Sequence, residues 1–271
     1  MSAASPDRFA SLRAPAHWQA VEFISDLHLQ AGERPTFDVW RAFLQRPAPG
    51  RADALFILGD LFEVWVGDDV LQAQASTDQA FWRECAQSLQ DFSRHTPVFF
   101  MAGNRDFLLG AAGLKACGMQ GLVDPTVLDF LGQRWLLSHG DALCLADTDY
   151  MDFRAQVRQP AWQRDFLARP LGERTSIARQ LREQSEARKR DTAGDPGLWA
   201  DVDTAAARAD LQAAGARTLI HGHTHRPGEH ALGDGLRRVV LSDWDVGAKP
   251  ARAEVLRLDA RGLQRVALVA A

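Results

Sequence analysis

The stretch HGHTHRP, residues 221–227, carries three of the chain's eight histidines within five residues. Imidazoles at alternate positions rarely serve packing and readily serve a metal ion. Four other short motifs hold side chains of the same grade: Ser25-Asp26-Leu27-His28, Gly59-Asp60, Gly103-Asn104-Arg105-Asp106 and Ser138-His139-Gly140-Asp141. Each is weak alone, since a lone Gly-Asp is usually a turn. Together they supply seven candidate ligands: Asp26, His28, Asp60, Asn104, His139, His221 and His223. No thiolate is among them. Mixed imidazole, carboxylate and amide donors suit borderline and hard divalent ions such as Mn²⁺, Fe²⁺ or Zn²⁺. Seven donors are too many for one tetrahedral ion. They suit two ions about 3.5–4 Å apart sharing a carboxylate, which clamp a phosphoryl group and generate hydroxide at neutral pH. The reaction class that follows is hydrolysis of a phosphate ester or anhydride. The alternative is a structural polar cluster.

The elements that must position these residues are legible as apolar runs. Residues 20–24, 54–58, 98–102, 134–137 and 218–220 read as strands, and each ends at one of the five motifs. Sites in α/β sheets form beyond the carboxyl ends of strands, and the glycines beside the ligands let the backbone turn sharply there. Residues 127–130 pair with 134–137 as a hairpin across Gly132-Gln133. Helical patterns cover 36–46, 77–94 and 107–116. No strand is expected over 148–215. Further strands, antiparallel in appearance, are expected at 237–241, 253–258 and 263–269. This order predicts a layered α/β sandwich with a helical insert at about 148–200 in a single domain over 21–271, after an N-terminal extension, 1–20.

The chain has 271 residues, 46% hydrophobic and 24% charged, as an ordinary soluble globular protein has. A net charge of −4 leaves no global basic footprint for nucleic acid. Three scattered cysteines without a CxxC pair fit a reduced, intracellular compartment. The first 20 residues lack the apolar core of a secretory signal, and no apolar run approaches the roughly 20 residues that span a bilayer. A soluble or at most peripheral protein is expected. Between Arg154 and Arg190 there are ten basic and four acidic residues, a local net of +6. Apolar pairs recur there at helical spacing: Phe153/Val157, Trp162/Phe166 and Ile177/Leu181. Such a region suits an anionic lipid surface or amphiphile, or equally a solvated face over ordinary helix packing. Within it Arg182, Ser185, Lys189 and Thr192 fall on one helix face. Asp147 has the spacing of a helix N-cap.

The ordered set DLH (26–28), GDLFE (59–63), GNRDF (103–107), HGD (139–141) and GHTH (222–225) resembles the calcineurin-like metallophosphoesterases over about residues 21–245. The longer runs GDLFEVWVGDD (59–69), GNRDFLLG (103–110) and HGDALC (139–144) are most similar to the branch of that family that acts in lipid A biosynthesis. Most other members read GNH where this chain has Arg105. The resemblance implies a four-layer αββα sandwich with a helical cap and two Mn²⁺ ions. Asp26, His28 and His223 would hold the first ion and Asn104, His139 and His221 the second, with Asp60 bridging. It implies water attack at the α-phosphorus of UDP-2,3-diacylglucosamine, giving UMP and 2,3-diacylglucosamine 1-phosphate. Asp60, Asn104, Arg105 and His139 would be the catalytic group, Arg105 clamping phosphate as a planar, always charged guanidinium does. Asn104, Arg105, Asp147, Tyr150, Arg182, Ser185, Lys189, Thr192 and His221 would contact this glycolipid nucleotide. The family usually shows Asn and Lys where this chain has Lys189 and Thr192. His225 would orient a ligand or line the site. The expected location is the cytoplasmic face of the inner membrane, peripherally bound, with neither nucleic acid nor an obligate protein partner. Two other readings stand behind this one: a related enzyme acting on another nucleotide or phosphoester, and a scaffold without chemistry. The first would carry GNH and no basic cap; the second would show lost ligands.

Overall fold

Strands covered on both faces read as unbroken apolar runs rather than alternating ones, as ALFIL (54–58) and VFFM (98–101) do here. A computed structural model describes residues 9–47, 50–72, 77–191 and 201–270, with side chains at all of these except 77 and 184–191. Among the described residues, twelve strands form two six-stranded sheets. One contains β2 (Ala20–Ile24), β3 (Ala54–Leu58), β4 (Val98–Met101), β5 (Met119–Leu122), β11 (Glu254–Asp259) and β12 (Gly262–Ala267), in the order β12-β11-β2-β3-β4-β5. The other contains β1 (Ala10–Arg13), β6 (Thr126–Phe130), β7 (Gln133–Leu137), β8 (Thr218–His221), β9 (Gly228–Gly233) and β10 (Leu236–Val240), in the order β1-β6-β7-β8-β10-β9. Strands β2, β3, β4 and β5 run parallel, and so do β7, β8 and β10, so the motif-bearing ends lie together within each sheet.

Alternation divides each strand between two cores. Ala54, Phe56 and Leu58 of β3 join Phe23, Phe99 and Met101 on the inner face, against Leu128, Leu137, Ile220 and Val239 of the other sheet. Phe56 stacks on Phe23 and Phe99, with centroids 5.2 and 4.9 Å apart. Leu55, Ile57, Val98 and Phe100 face outward onto Phe37 and Trp40 of α1 (Arg34–Gln45) and Phe81, Cys85 and Leu89 of α2 (Thr77–Ser93). Val127, Leu136 and Leu219 face Ala207, Leu211 and Ala214 of α7 (Thr204–Ala214). The layers are therefore helix, sheet, sheet, helix. Asp203 caps α7 by accepting from Ala206 N at 2.8 Å, and left-handed Gly215 ends it.

The fold differs from the expected elements at several places. The helix expected from 107 begins at Ala111 (α3, Ala111–Cys117). The amides of Leu109 and Gly110 are already used, by Asp106 O at 3.0 Å and Asp68 Oδ1 at 2.9 Å. Strands β1, β5 and β9 were not expected. All three are sheet edges with few buried residues, so their sequences lack an apolar run. Residues 10–13, within the expected extension, pair parallel with β6. Among the late strands β10 is parallel to β8, while β9, β11 and β12 pair antiparallel.

Between β7 and α7 lie α4 (Thr148–Val157), α5 (Pro160–Leu167) and α6 (Leu171–Asp191). Trp162 stacks on Phe166 at 4.8 Å, and Trp162, Phe166 and Ile177 pack on the helix-side core. Four arginines of this segment turn inward. Arg154 reaches Asp141, Arg158 reaches Gly103 O, Arg174 reaches Val66 O and Asp69, and Arg182 reaches Glu63. Arg164, Arg169 and Arg179 are exposed, as are Leu167 and Leu181. Among the described residues no helix is long and apolar enough to cross a membrane. Cys85, Cys117 and Cys144 are buried and unpaired.

Candidate metal centre

The five motifs meet where the parallel ends of the two sheets face each other. β2 delivers Asp26 and His28, β3 delivers Asp60, β4 delivers Asn104, β7 delivers His139, and β8 ends at His221. The chain reverses hard at these points. Asp26, His28, Asp60, His223 and His225 all have left-handed backbone, with φ of 55°, 49°, 53°, 66° and 51°. Non-glycine residues seldom adopt that region, and when they cluster there the strain marks a functional site. Gly103 is required for closeness: a Cβ on it would lie 2.1 Å from Asp60 Oδ1 and 2.5 Å from Asp60 N.

Buried hydrogen bonds fix the loops. Asp106 Oδ1 accepts from Gly103 N at 2.8 Å and Asp60 N at 3.3 Å, and its Oδ2 accepts from Leu61 N at 2.8 Å. It braces two motifs at once. Asp60 Oδ1 accepts from Arg105 N at 2.9 Å. Asp26 accepts from His223 N at 3.1 and 3.0 Å and from Ser25 Oγ at 2.5 Å.

Among the described residues two groups of three donors have ligand atoms within 4.8 Å of one another: Asp26, Asp60 and His139, and Asp26, His28 and His225. Asp26 belongs to both. His139 is fully buried and places Nδ1 2.9 Å from Leu58 O, so that nitrogen donates and Nε2 is left for a ligand. Asn104 Oδ1 lies 3.1 Å from His139 Nε2 and 2.9 Å from His223 Nδ1. His28 Nε2 lies 3.2 Å from His225 Nε2 and 4.0 Å from Asp60 Oδ2. Carboxylate oxygens, imidazole nitrogens and an amide oxygen thus converge with lone pairs facing inward, a donor set that fits divalent ions.

The imidazoles of the cluster differ in protonation. Burial would lower His139, but the carboxylates of Asp60, Asp141 and Asp26 outweigh it and raise the imidazole to about 9. Burial opposes ionisation of Asp26 as well, yet the hydrogen bond and charge of His225, with His139 and His28, hold its carboxyl well below the usual range. Burial pushes His221 down to about 4 and, with the charge of His139, His223 down to about 3. Those two imidazoles are neutral, as a metal ligand must be.

The placement of the expected ligands is uneven. Asp26, His28, Asp60, Asn104, His139 and His223 share the cluster. His221 stands beside it, with Nδ1 2.9 Å from Gly222 O and Nε2 3.4 Å from Arg238 Nη1. His225 lies inside, 3.4 Å from Asp26 Oδ1, and Asp243 Oδ2 lies 3.8 Å behind it. Of the expected substrate contacts, Arg105 lies at the rim, its Nη1 3.4 Å from Glu63 Oε1. Asp147 caps α4 by accepting from Tyr150 N at 3.1 Å. Tyr150 stacks on His223 and donates its hydroxyl to Asp141 Oδ2 at 2.5 Å. Arg182 reaches Glu63. Ser185 and Lys189 fall on α6 with side chains outside the described residues, and all of Thr192 lies outside them. Glu63, Asp141 and Asp106 are site residues that motif spacing did not single out. Their signal was present, as acids inside GDLFE, HGD and GNRDF, but a role for them needs the fold.

The calcineurin-like phosphoesterase family matches this chain over residues 21–227. A UDP-2,3-diacylglucosamine hydrolase of Chromobacterium violaceum is 47% identical over 253 residues, covering 92% of this chain and 99% of that protein. A UDP-2,3-diacylglucosamine hydrolase of Xanthomonas axonopodis pv. citri is 44% identical over 255 residues, covering 91% and 98%. The solved structure of an archaeal phosphodiesterase aligns with a TM-score of 0.41 at 11% identity, over 92% of this chain and 99% of that one.

Proposed function

This chain belongs to the calcineurin-like phosphoesterase family, and from that premise we propose that it hydrolyses the pyrophosphate of UDP-2,3-diacylglucosamine at the α-phosphorus. The products are UMP and 2,3-diacylglucosamine 1-phosphate. The observation that carries this reading is the convergence of Asp26, Asp60, His139, His28 and Asn104 from two sheets in a chain 47% identical to a hydrolase of that name. We assign two Mn²⁺ ions: Asp26, His28 and His223 would hold the first and Asn104, His139 and His221 the second, with Asp60 available to both. His225, near Asp26 and His28, would offer a further donor to the first ion, and His221 would turn from Arg238 to join the second. When bound, such ions polarise phosphoryl oxygens and lower the pKa of water.

The chain's own residues do the rest. The Leu58 carbonyl fixes the tautomer of His139. Arg105, anchored by its amide on Asp60, brings a guanidinium to the rim, where it binds phosphate oxygens as charge develops on them. Helices α4, α5 and α6 form a cap that covers the substrate. Its inward arginines meet the polar end, while exposed Leu167, Leu181, Arg164, Arg169 and Arg179 suit an anionic lipid surface on the cytoplasmic side of the inner membrane. Ser185, Lys189 and Thr192 are assigned to the sugar–phosphate portion.

The test is release of UMP by metal-stripped protein on adding back Mn²⁺. His139→Ala, Arg105→Ala and an aryl phosphodiester substrate serve as controls. Turnover that needs the ion, falls by orders of magnitude in His139→Ala and exceeds that of the aryl ester supports the reading. Turnover of the aryl ester alone redirects it to another phosphoester.

A further inference from the structure

Glu63 closes the GDLFE run and lies at the edge of the site without being one of the seven expected ligands. It sits three residues after Asp60, held by the bridge between Leu29 and Phe62 and by its own amide, which donates to Leu29 O at 3.1 Å. Its side chain is buried. A buried carboxylate is costly unless it is paired, and the partners here come from three separate segments. Oε2 lies 3.2 Å from Nδ1 of His28, in the loop after β2. Oε1 lies 3.2 Å from Nε of Arg182, on α6, and 3.4 Å from Nη1 of Arg105, in the loop after β4. Arg182 also reaches Gln30 Oε1 at 3.5 Å, two residues beyond His28.

The division of labour follows from these contacts. Two guanidiniums share one oxygen and keep the carboxylate charged and in place. The other oxygen faces the imidazole. A carboxylate beside Nδ1 decides which ring nitrogen carries the proton, and so leaves the Nε2 lone pair for a ligand. His28 Nε2 is the atom that points at Asp60 and His225. The Nδ1 contact is close in distance but is not an aligned hydrogen bond, so the ring needs its neighbours to hold it.

We propose that Glu63 is a positioning residue that orients His28 for a divalent ion and, through Arg182, couples that orientation to the seating of α6. The proposal rests on the metal-centre reading and is independent of which phosphoester is cleaved. It assigns to the cap a second task besides covering substrate: Arg182 helps to set the affinity of an ion it does not touch.

The test is titration of the metal-stripped full chain with Mn²⁺, following free ion by electron paramagnetic resonance. Glu63→Ala weakens one class of ion by about 10–100-fold, the usual cost of removing a partner behind a metal-bound histidine. Arg182→Ala weakens the same class by a smaller factor. In the Glu63→Ala background neither Arg182→Ala nor His28→Ala adds its full effect, because both act through the same contact. Circular dichroism of each metal-free variant reports whether it folds. Where Glu63→Ala does not, the isosteric Glu63→Gln decides: weakened ion binding supports the proposal and unchanged binding overturns it. Unchanged binding in folded Glu63→Ala, or a full independent effect of Arg182→Ala in that background, also overturns it. A wild-type chain that binds no Mn²⁺ overturns the metal-centre reading and this proposal together.

Discussion

Asp141 fastens α4 to the loop after β7, and removing its charge has a calculable cost. The side chain is fully buried. Its Oδ2 accepts from Tyr150 Oη at 2.5 Å and from Arg154 Nε at 2.8 Å, with Arg158 Nη2 at 3.8 Å. Its Oδ1 has no hydrogen-bond partner. Burial would raise its carboxyl, but His139 and Arg154 outweigh that and hold it well below the usual range. Asp141→Asn keeps the shape. Hydrogen bonds to a charged acceptor contribute about 1.5–3 kcal/mol and to a neutral one about 0.5–1.5. Two such bonds together lose about 2–3 kcal/mol, and an amide NH₂ in place of Oδ1 adds an unsatisfied donor worth about 1 kcal/mol more. Arg154 is 22% exposed and recovers part of this by turning to water. The net expectation is about 3 kcal/mol, or roughly 6–12 °C in Tm for a chain of this size. Calorimetry on metal-free protein at neutral pH measures the shift, and hydrogen exchange locates it in α4. Because the folded pKa lies below the unfolded one, this stability is present above about pH 4 and is lost as pH falls further. The gap between variant and wild type therefore closes in acid. A neutral-pH midpoint within about 2 °C of wild type, with unchanged exchange in α4, would refute the reasoning.

Three further outcomes follow from the geometry. Gly103→Ala drives a Cβ into Asp60 and is expected to weaken ion binding about ten-fold or more, measured by the same Mn²⁺ titration. Phe56→Ala removes the middle ring of a three-ring stack between the sheets and costs about 3–5 kcal/mol in urea unfolding; a cost below about 1 kcal/mol would mean the inner core collapses around the gap. His139, raised to about 9, must lose its proton to solvent when it binds an ion. Binding near pH 7.5 therefore releases protons, and calorimetric enthalpies should vary with the ionisation enthalpy of the buffer, the variation shrinking in His139→Ala. A variation that is absent, or the same in His139→Ala, counts against His139 as a ligand.

Much of the site was legible because strand ends carry their chemistry in sequence. The runs 20–24 and 54–58 are bounded by the same residues in the fold, and the donors follow them immediately. A buried parallel strand such as β3 is apolar throughout, so its end is marked by the first polar residue; β2 departs from this only at Glu22, whose buried carboxylate is paired with Arg46 and Arg257. Edges gave no such mark: MQGL and GEHALG become β5 and β9 only because a neighbouring strand offers hydrogen bonds. The basic run after 154 was ambiguous for a related reason. Periodicity places Arg154, Arg158, Arg174 and Arg182 on helices, but only tertiary packing shows that they turn toward the motif loops. Glu63 and Asp141 were hidden by their partners, which lie 119 and 13 residues away at Arg182 and Arg154. HGHTH shows the limit of spacing: three histidines at alternate positions look equivalent, yet His223 and His225 enter the cluster while His221 faces Arg238.

The most direct measurement is hydrolysis of UDP-2,3-diacylglucosamine by the Mn²⁺-loaded chain in ¹⁸O-enriched water, with both products weighed by mass spectrometry. The expected result is UMP carrying one ¹⁸O and an unlabelled 2,3-diacylglucosamine 1-phosphate. Label in the lipid phosphate, or no release of UMP from a protein that binds its ions, would contradict the proposed reaction.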